Sequence, residues 1–368
     1  MQTKIAAPLF HSSNVLRHAA CLTLDGQPTG DRTQREGDAK IQSDLRDRKT
    51  HPAPPAARSR RRTKRTSSPV GSIRIGVSGW RYPPWRGVFY PKGMPQRREL
   101  EYASRMLSSI ELNGSFYSLQ RPESYARWYA ETPPDFLFSV KGPRYITHIL
   151  RLRNAEKPLA NFLASGIANL RGKLGSVLWQ LPGSLPYDPA LLEGFLSLLP
   201  HDTDAAAAIA RRHDDKVKGR ARLGFGPCRP LRHALEVRHE SFVDPSFIAL
   251  LRKHGIAFVI ADTSGKWPEY EDVTAEFVYV RLHGGEELYV SGYSDEALRR
   301  WSRRIRQWRA GKEPRDARRI SPERGRSGAA RDVFCYFDNT ATDEAPRNAI
   351  GLSEMLGIAR LGKAAAPE

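Results

Sequence analysis

From Ile73 onwards, apolar and polar positions fall into short blocks that repeat one theme eight times. Apolar runs of strand length occur at IRIGV (73–77), SIEL (109–112), FLFSV (136–140), SVLWQ (176–180), ALEV (234–237), AFVIA (257–261), FVYVRL (277–282) and VFCYF (333–337). They are rich in the β-branched and aromatic residues that suit a pleated, buried surface. Between them the spacing becomes that of amphipathic helices. RRELEYASRML puts Leu100, Ala103, Met106 and Leu107 on one side, and PESYARWYAE opens on Pro122 and lines up Tyr125, Trp128 and Tyr129. LLEGFLSLL (191–199), PSFIALLRKHG with Gly255 as its stop, and EAPRNAIGLSEMLG follow later strands. SDEALRRWSRRIRQWRAG carries Leu298, Trp301, Ile305 and Trp308 on one stripe. Strand–helix alternation repeated eight times over about 290 residues predicts a single (β/α)8 barrel of the TIM type. A doubly wound open sheet is the alternative, and eight units favour closure.

Side chains two apart in a strand share a face. In FVYVRLHGG (277–285), Val278, Val280 and Leu282 occupy one face, while the other runs Phe277, Tyr279, Arg281, His283 and grows more polar toward its C-terminal end. The same parity in the second strand sets Ile110 and Leu112 against Glu111 and Asn113. In the third it sets Phe138 and Val140 against Ser139 and Lys141, and in the fifth Leu235 and Val237 against Glu236 and Arg238. In a barrel one parity faces the helices and the other the interior, and functional groups collect where the interior parity reaches the C-terminal rim. Four strands thus send polar groups into one mouth. Burying them costs too much unless they pair with one another, hold a ligand, or both.

Composition changes the picture mainly at the N-terminus. Residues 1–72 carry 14 Lys/Arg against 6 Asp/Glu, a net of +8, leaving +11 for the rest of a chain whose formal net charge is +19. The segment HPAPPAARSRRRTKRTSSP has no apolar period, and the only aromatic residue before Ile73 is Phe10. Residues 1–71 are therefore expected to be a disordered Pro/Ser/Arg-rich basic tail, 72–362 the barrel, and 363–368 a flexible C-terminus. The tail reads either as a solvated extension or as a basic arm for nucleic acid or another acidic surface. Cys21, Cys228 and Cys335 are far apart and form no CxxC, which points away from a disulfide scaffold and toward a reducing, cytoplasmic setting. No apolar run approaches the roughly 20 residues that span a bilayer, so no membrane partner is expected.

The blocks GVSGWRYPPWRGVFYP (76–91), IELNGSFY (110–117), FLFSVKGPRYITH (136–148), LGSVLWQLP (174–182), ALEVRHESF (234–242), YVRLHG (279–284) and YFDNTATDEAPRNA (336–349) together resemble the YecE-like family, domain of unknown function 72. The resemblance spans roughly residues 72–360. It implies a TIM-barrel fold and little about function, because the family is uncharacterised. This chain departs from the family pattern at the end of strand eight, which usually carries two asparagines and here reads Asp338-Asn339. It also carries an arginine-rich insertion near 310–331.

Glu111, Glu236, Asp262, His283 and His148 are the candidate catalytic groups. Imidazole titrates near neutrality, and the three carboxylates stand at strand ends. Trp80, Tyr82, Asn113, Lys141, Gln180, Arg238, Arg281 and Asn339 are the candidate substrate-binding groups. Aromatic residues wall a pocket, amides position a ligand, and the cations select phosphate or carboxylate. A divalent metal on Glu111, Glu236, Asp262 and His283 is conceivable but not favoured, because no HxH or HExxH spacing occurs and Arg238 and Arg281 would repel it. A glycosidase pair of Glu111 and Glu236 is weakened by the cations and by Gln180 beside it. Two readings stay open. One is an enzyme acting on a small anionic metabolite, a sugar phosphate or carboxylate, by acid/base chemistry at the mouth. The other is a nucleic-acid-binding or processing protein using the tail and the Arg-rich 295–326 region. No cofactor and no oligomeric state follow from the residues.

Overall fold

In a computed structural model that describes residues 71–359, eight parallel strands close into a barrel in sequence order. They are β1 (Ile73–Ser78), β2 (Ser109–Leu112), β3 (Leu137–Lys141), β4 (Leu174–Gln180), β5 (His233–Glu236), β6 (Ala257–Asp262), β7 (Phe277–Leu282) and β8 (Asp332–Phe337). The circle closes where Ile75 of β1 lies beside Cys335 of β8. Around it run α1 (Glu99–Met106), α2 (Gly114–Tyr117), α3 (Pro122–Glu131), α4 (Glu156–Ala164), α5 (Pro189–Ser197), α6 (Thr203–Ala210), α7 (Pro245–His254), α8 (Asp295–Arg309) and α9 (Glu344–Leu356). The (β/α)8 expectation is met. The tail expected before residue 71 and the stretch 363–368 lie outside the described residues.

Local signals set the helix ends. Ser294 caps α8 by accepting from the Ala297 amide, Asp244 caps α7 at Ser246, and Gly255 closes α7 in the left-handed region at φ 61°. Helices α4 and α6 are additions to the pattern read from the sequence. Their apolar residues are mostly alanine and leucine within stretches shorter than three turns, which leaves little periodicity to detect.

The two strand faces separate as parity requires. Ile110, Leu112, Phe138, Val140, Val278, Val280 and Leu282 pack in the layer between sheet and helices, while Tyr279, Phe334, Tyr336, Leu178 and Val259 fill the barrel interior. Halfway up, Tyr279 and Tyr336 lie 5.3 Å apart, and the Tyr336 hydroxyl meets Ser109 Oγ at 2.6 Å and Ser139 Oγ at 2.7 Å. This layer fills the barrel interior beneath the polar residues of the mouth.

The arginine-rich insertion is folded onto the outside of the barrel. Asp272 accepts from the amides of Ile320 at 2.7 Å and Ser321 at 3.0 Å. Arg304 of α8 reaches Glu271 at 3.0 Å and Asp316 at 2.9 Å.

Candidate functional site

The C-terminal mouth has two levels of charge. At the lower level, Arg281 on β7 is fully buried and meets three carboxylates from other strands. It donates to Glu111 through Nη2 at 2.9 Å and Nε at 3.1 Å, and to Glu236 through Nη1 at 2.5 Å. Its Nη2 also lies 3.1 Å from Asp338 Oδ2. Glu111 further accepts from Ser78 Oγ at 2.9 Å and from the Tyr279 hydroxyl at 2.7 Å. Glu236 further accepts from Gln180 Nε2 and Arg238 Nε, both at 2.9 Å. Burial alone would raise Glu236, but the guanidinium groups of Arg281 and then Arg238 hold it well below the usual carboxylate range. Asp338 is held down in the same way, against burial, by Arg281 and His283. Arg281 itself is raised by the three carboxylates despite its burial. Each charge at this level has a partner.

Above it opens a cavity of about 720 Å³. Lys141, the last residue of β3, is only 8% exposed and borders it. Its Nζ stands 4.4 Å from the centre of the Phe116 ring and makes no hydrogen bond or ion pair among the described residues. Burial, and then Arg281, push the amine down to about 8. Arg144 is exposed at the rim, also without a hydrogen bond or ion pair among the described residues. His148 lies edge-on to the same Phe116 ring at 5.1 Å, its Nδ1 2.8 Å from Thr147 Oγ1. Burial, then Lys141, Arg238 and Arg144, lower it to about 4, so the ring is neutral at ordinary pH. Tyr82 donates to the Ser78 carbonyl at 2.5 Å and is pushed up to about 12 by burial. Asn113 contributes a buried Oδ1 with no hydrogen-bond partner among the described residues. Arg238 lies flat on Trp267, 3.8 Å from its centre, and its Nη2 donates to the Tyr289 hydroxyl at 3.1 Å.

Tyr82, Asn113, Lys141, His148, Gln180 and Arg238, all expected at the mouth, thus line this cavity. Glu111, Glu236, His283 and Arg281 lie beneath it, at most 1% exposed. Arg281 was expected to bind substrate, but its donors face the three carboxylates and Ser78. His283 Nδ1 lies 3.0 Å from Asp338 Oδ2, off the line of a hydrogen bond.

Three expected residues fall elsewhere. Asp262 shares the outward parity of Phe258 and Ile260, and its carboxyl turns to Ser264, Tyr293 and Trp301 behind the barrel wall, where burial raises it. That position removes it from the mouth as a base. Trp80 packs edge-on against Trp128 at 5.6 Å, inside the helix layer. Asn339, again of outward parity, donates to the Ser291 carbonyl at 3.0 Å.

Asp338 was absent from the expected set although the alternation Phe334, Tyr336, Asp338 places it inward. Phe116 and Tyr117 lie in the single turn of α2 and Tyr289 in a loop, where no period marks them. Among the described residues no group of three or more His, Cys, Asp or Glu is placed to hold a metal ion. The set considered for one is divided, with Asp262 behind the wall and both glutamates on Arg281. No helix among the described residues is long and apolar enough to cross a membrane.

The closed eight-stranded barrel thus carries a saturated plug of paired charges under a rim whose cations are unpaired among the described residues. A family model described as Protein of unknown function DUF72 matches residues 74–368. The chain belongs to the DUF72 family. The UPF0759 protein YecE of Escherichia coli (strain K12) is 26% identical over 242 residues, covering 64% of this chain and 82% of that protein. The UPF0759 protein YunF of Bacillus subtilis (strain 168) is 24% identical over 323 residues, covering 79% and 97%. Crystal structures of DUF72 proteins show the same fold. One from Thermotoga maritima MSB8 superposes with a TM-score of 0.59 at 24% identity over 78% of this chain and 99% of that one. One from Enterococcus faecalis V583 gives 0.54 at 18% identity over 77% and 95%.

Proposed function

We propose that this DUF72 member is an enzyme that holds a small anionic metabolite, a sugar phosphate or a carboxylate, in the barrel mouth and acts on it by acid/base chemistry. The observation that carries this reading is the imbalance between the two levels of the mouth. Glu111, Glu236 and Asp338 are tied to Arg281, whereas Lys141 and Arg144 border the cavity with no ion pair among the described residues. A cavity of about 720 Å³ suits a ligand of metabolite size. A phosphate or carboxylate seated there would supply the missing counter-charge, with Arg144 offering a forked contact and Lys141 a point charge. Neutral His148, Tyr82 and the Lys141 amine are among the cavity-lining groups that can exchange protons.

Competition from nucleic acid is weakened by what the arginines of 295–326 already touch. Arg304 binds Glu271 and Asp316, Arg299 lies 3.5 Å from Asp295, Arg309 donates to the Gly71 carbonyl, and Arg318 covers Tyr270. Arg304 and Arg318 fasten the insertion to the barrel.

The test is thermal unfolding at low ionic strength with inorganic phosphate and with citrate. A ligand at about 100 times its Kd stabilises the fold by roughly 2.7 kcal/mol, a readily measured shift in Tm. Stabilisation that Arg144→Gln reduces is expected. No shift in the wild type with either anion overturns the reading.

A further inference from the structure

We propose that Lys141 is a covalent catalyst whose ε-amine condenses with the carbonyl group of the bound metabolite to form an iminium, which makes the ligand a phosphorylated or carboxylated aldehyde or ketone. The inference rests on the anionic-ligand reading above and adds to it the functional group that reacts.

Two buried lysines show why. Lys173 donates its Nζ to the carbonyls of Tyr129 at 2.6 Å and Thr132 at 2.7 Å and to Thr132 Oγ1 at 3.0 Å, so its three protons are all used and its ammonium is a structural rivet. Lys141 is equally enclosed and has no such acceptor among the described residues. The three carboxylates of the plug are engaged with Arg281, and Lys141 faces the cavity instead. Its backbone is fixed. Ser115 Oγ donates to the Lys141 carbonyl at 2.7 Å, and the Gly142 amide donates to the Leu178 carbonyl at 2.8 Å. A Cβ at Gly142 would lie 2.4 Å from the Trp179 ring, so glycine lets the chain turn there directly after the lysine. A rigid base, an apolar Phe116 wall and an open front suit a nucleophilic amine. The lowering of this amine to about 8 agrees with that geometry and leaves roughly a tenth of it neutral at pH 7.

The step balances without any redox partner. The amine lone pair forms a C–N bond as the carbonyl π pair moves to oxygen, and proton transfer gives a neutral carbinolamine. Protonation of its hydroxyl expels water and leaves the C=N⁺ iminium. That cation occupies the place of the ammonium, which Glu111, Asp338 and Glu236 favour electrostatically. It then withdraws the electrons of an adjacent C–H or C–C bond, and the neutral His148, which packs on the same Phe116 ring and lines the same cavity, exchanges the proton. Water adds back to release the carbonyl product and the amine.

The experiment uses pyridoxal 5′-phosphate, an aldehyde carrying phosphate, on the full-length protein, followed by borohydride reduction and peptide mass spectrometry. Lys141 is expected to be modified about tenfold or more faster than the exposed Lys92, Lys218 and Lys312, because its lowered amine faces the anion-binding cavity. Inorganic phosphate should slow that reaction, its rate should rise with a midpoint near pH 8, and Lys141→Arg should abolish it while the protein still melts cooperatively. Modification of Lys141 no faster than the exposed lysines, in a protein that phosphate does stabilise, overturns the covalent role and leaves the anion site standing. Absence of phosphate stabilisation as well would remove the anion site first.

Discussion

The plug and the rim of the barrel mouth are a few ångströms apart and treat charge in opposite ways. In the plug, Arg281 reaches Glu111, Glu236 and Asp338, and further donors from Ser78, Tyr279, Gln180 and Arg238 serve the two glutamates. At the rim, Lys141 and Arg144 make no hydrogen bond or ion pair among the described residues, although Asp338 also lines the cavity. A buried ion pair contributes little net stability compared with an apolar pair, yet removing one partner is costly because the other is stranded. Matched charges are therefore evidence of architecture, and unmatched ones are evidence of a ligand. The carboxylates that look most catalytic by residue type are engaged with Arg281, and the less conspicuous lysine borders the cavity.

The largest effect should come from breaking the plug. Arg281→Met leaves three carboxylates without their shared cation and is expected to cost about 3–5 kcal/mol, or roughly 10 °C in Tm for a domain of this size. Adding Asp338→Asn should recover part of the loss, because one stranded charge is then gone. A melt of the single variant within two or so degrees of wild type, on the scale of about 2–4 °C per kcal/mol, would show that the plug is not the support described here.

A smaller effect, of opposite sign, is expected at the rim. The Lys141 amine lies below its ordinary value, so between about pH 8 and the ordinary lysine range the unfolded chain binds more protons than the folded one. Its destabilising contribution is full below about pH 8 and fades as pH rises through that window. Lys141→Met should thus melt at or above the wild-type temperature at neutral pH, and the gap should close toward high pH. Thermal melts of both proteins across that range provide the check. A clear loss of stability in the variant would make Lys141 another structural rivet like Lys173.

The smallest effect should lie outside the mouth. Arg303 and Arg315 are exposed and make no hydrogen bond or ion pair among the described residues. Reversing both to Glu should change stability by less than about 0.5 kcal/mol. The same variant tests the competing reading by titration against DNA and RNA at several salt concentrations. Binding that falls steeply with salt in the wild type and flattens in the variant would restore a nucleic-acid role to this face.

Parity was legible in the sequence wherever a strand contrasts its two faces. Glu111 against Ile110 and Leu112, or Arg281 against Val280 and Leu282, leaves one way to place the polar residue in a closed barrel. Strand β6 offers no such contrast. Ala257, Val259 and Ala261 line the interior and Phe258 and Ile260 the outer layer, both apolar, as parallel strands covered on two sides must be. That is why the outward placement of Asp262 was hidden, while the inward placement of Asp338 could have been read from β8. Side-chain period is a local property, carried by two or three neighbours, and so the alternation, the eight units and the polar mouth were all determined by the sequence alone. Pairing is not local. Arg281 lies 170 positions from Glu111 and 45 from Glu236, and only closure of the barrel brings them within hydrogen-bond reach. Which cation the carboxylates take, and hence that Lys141 is left facing the cavity, was decided by the tertiary structure, because a charge's role depends on what else occupies the few ångströms around it.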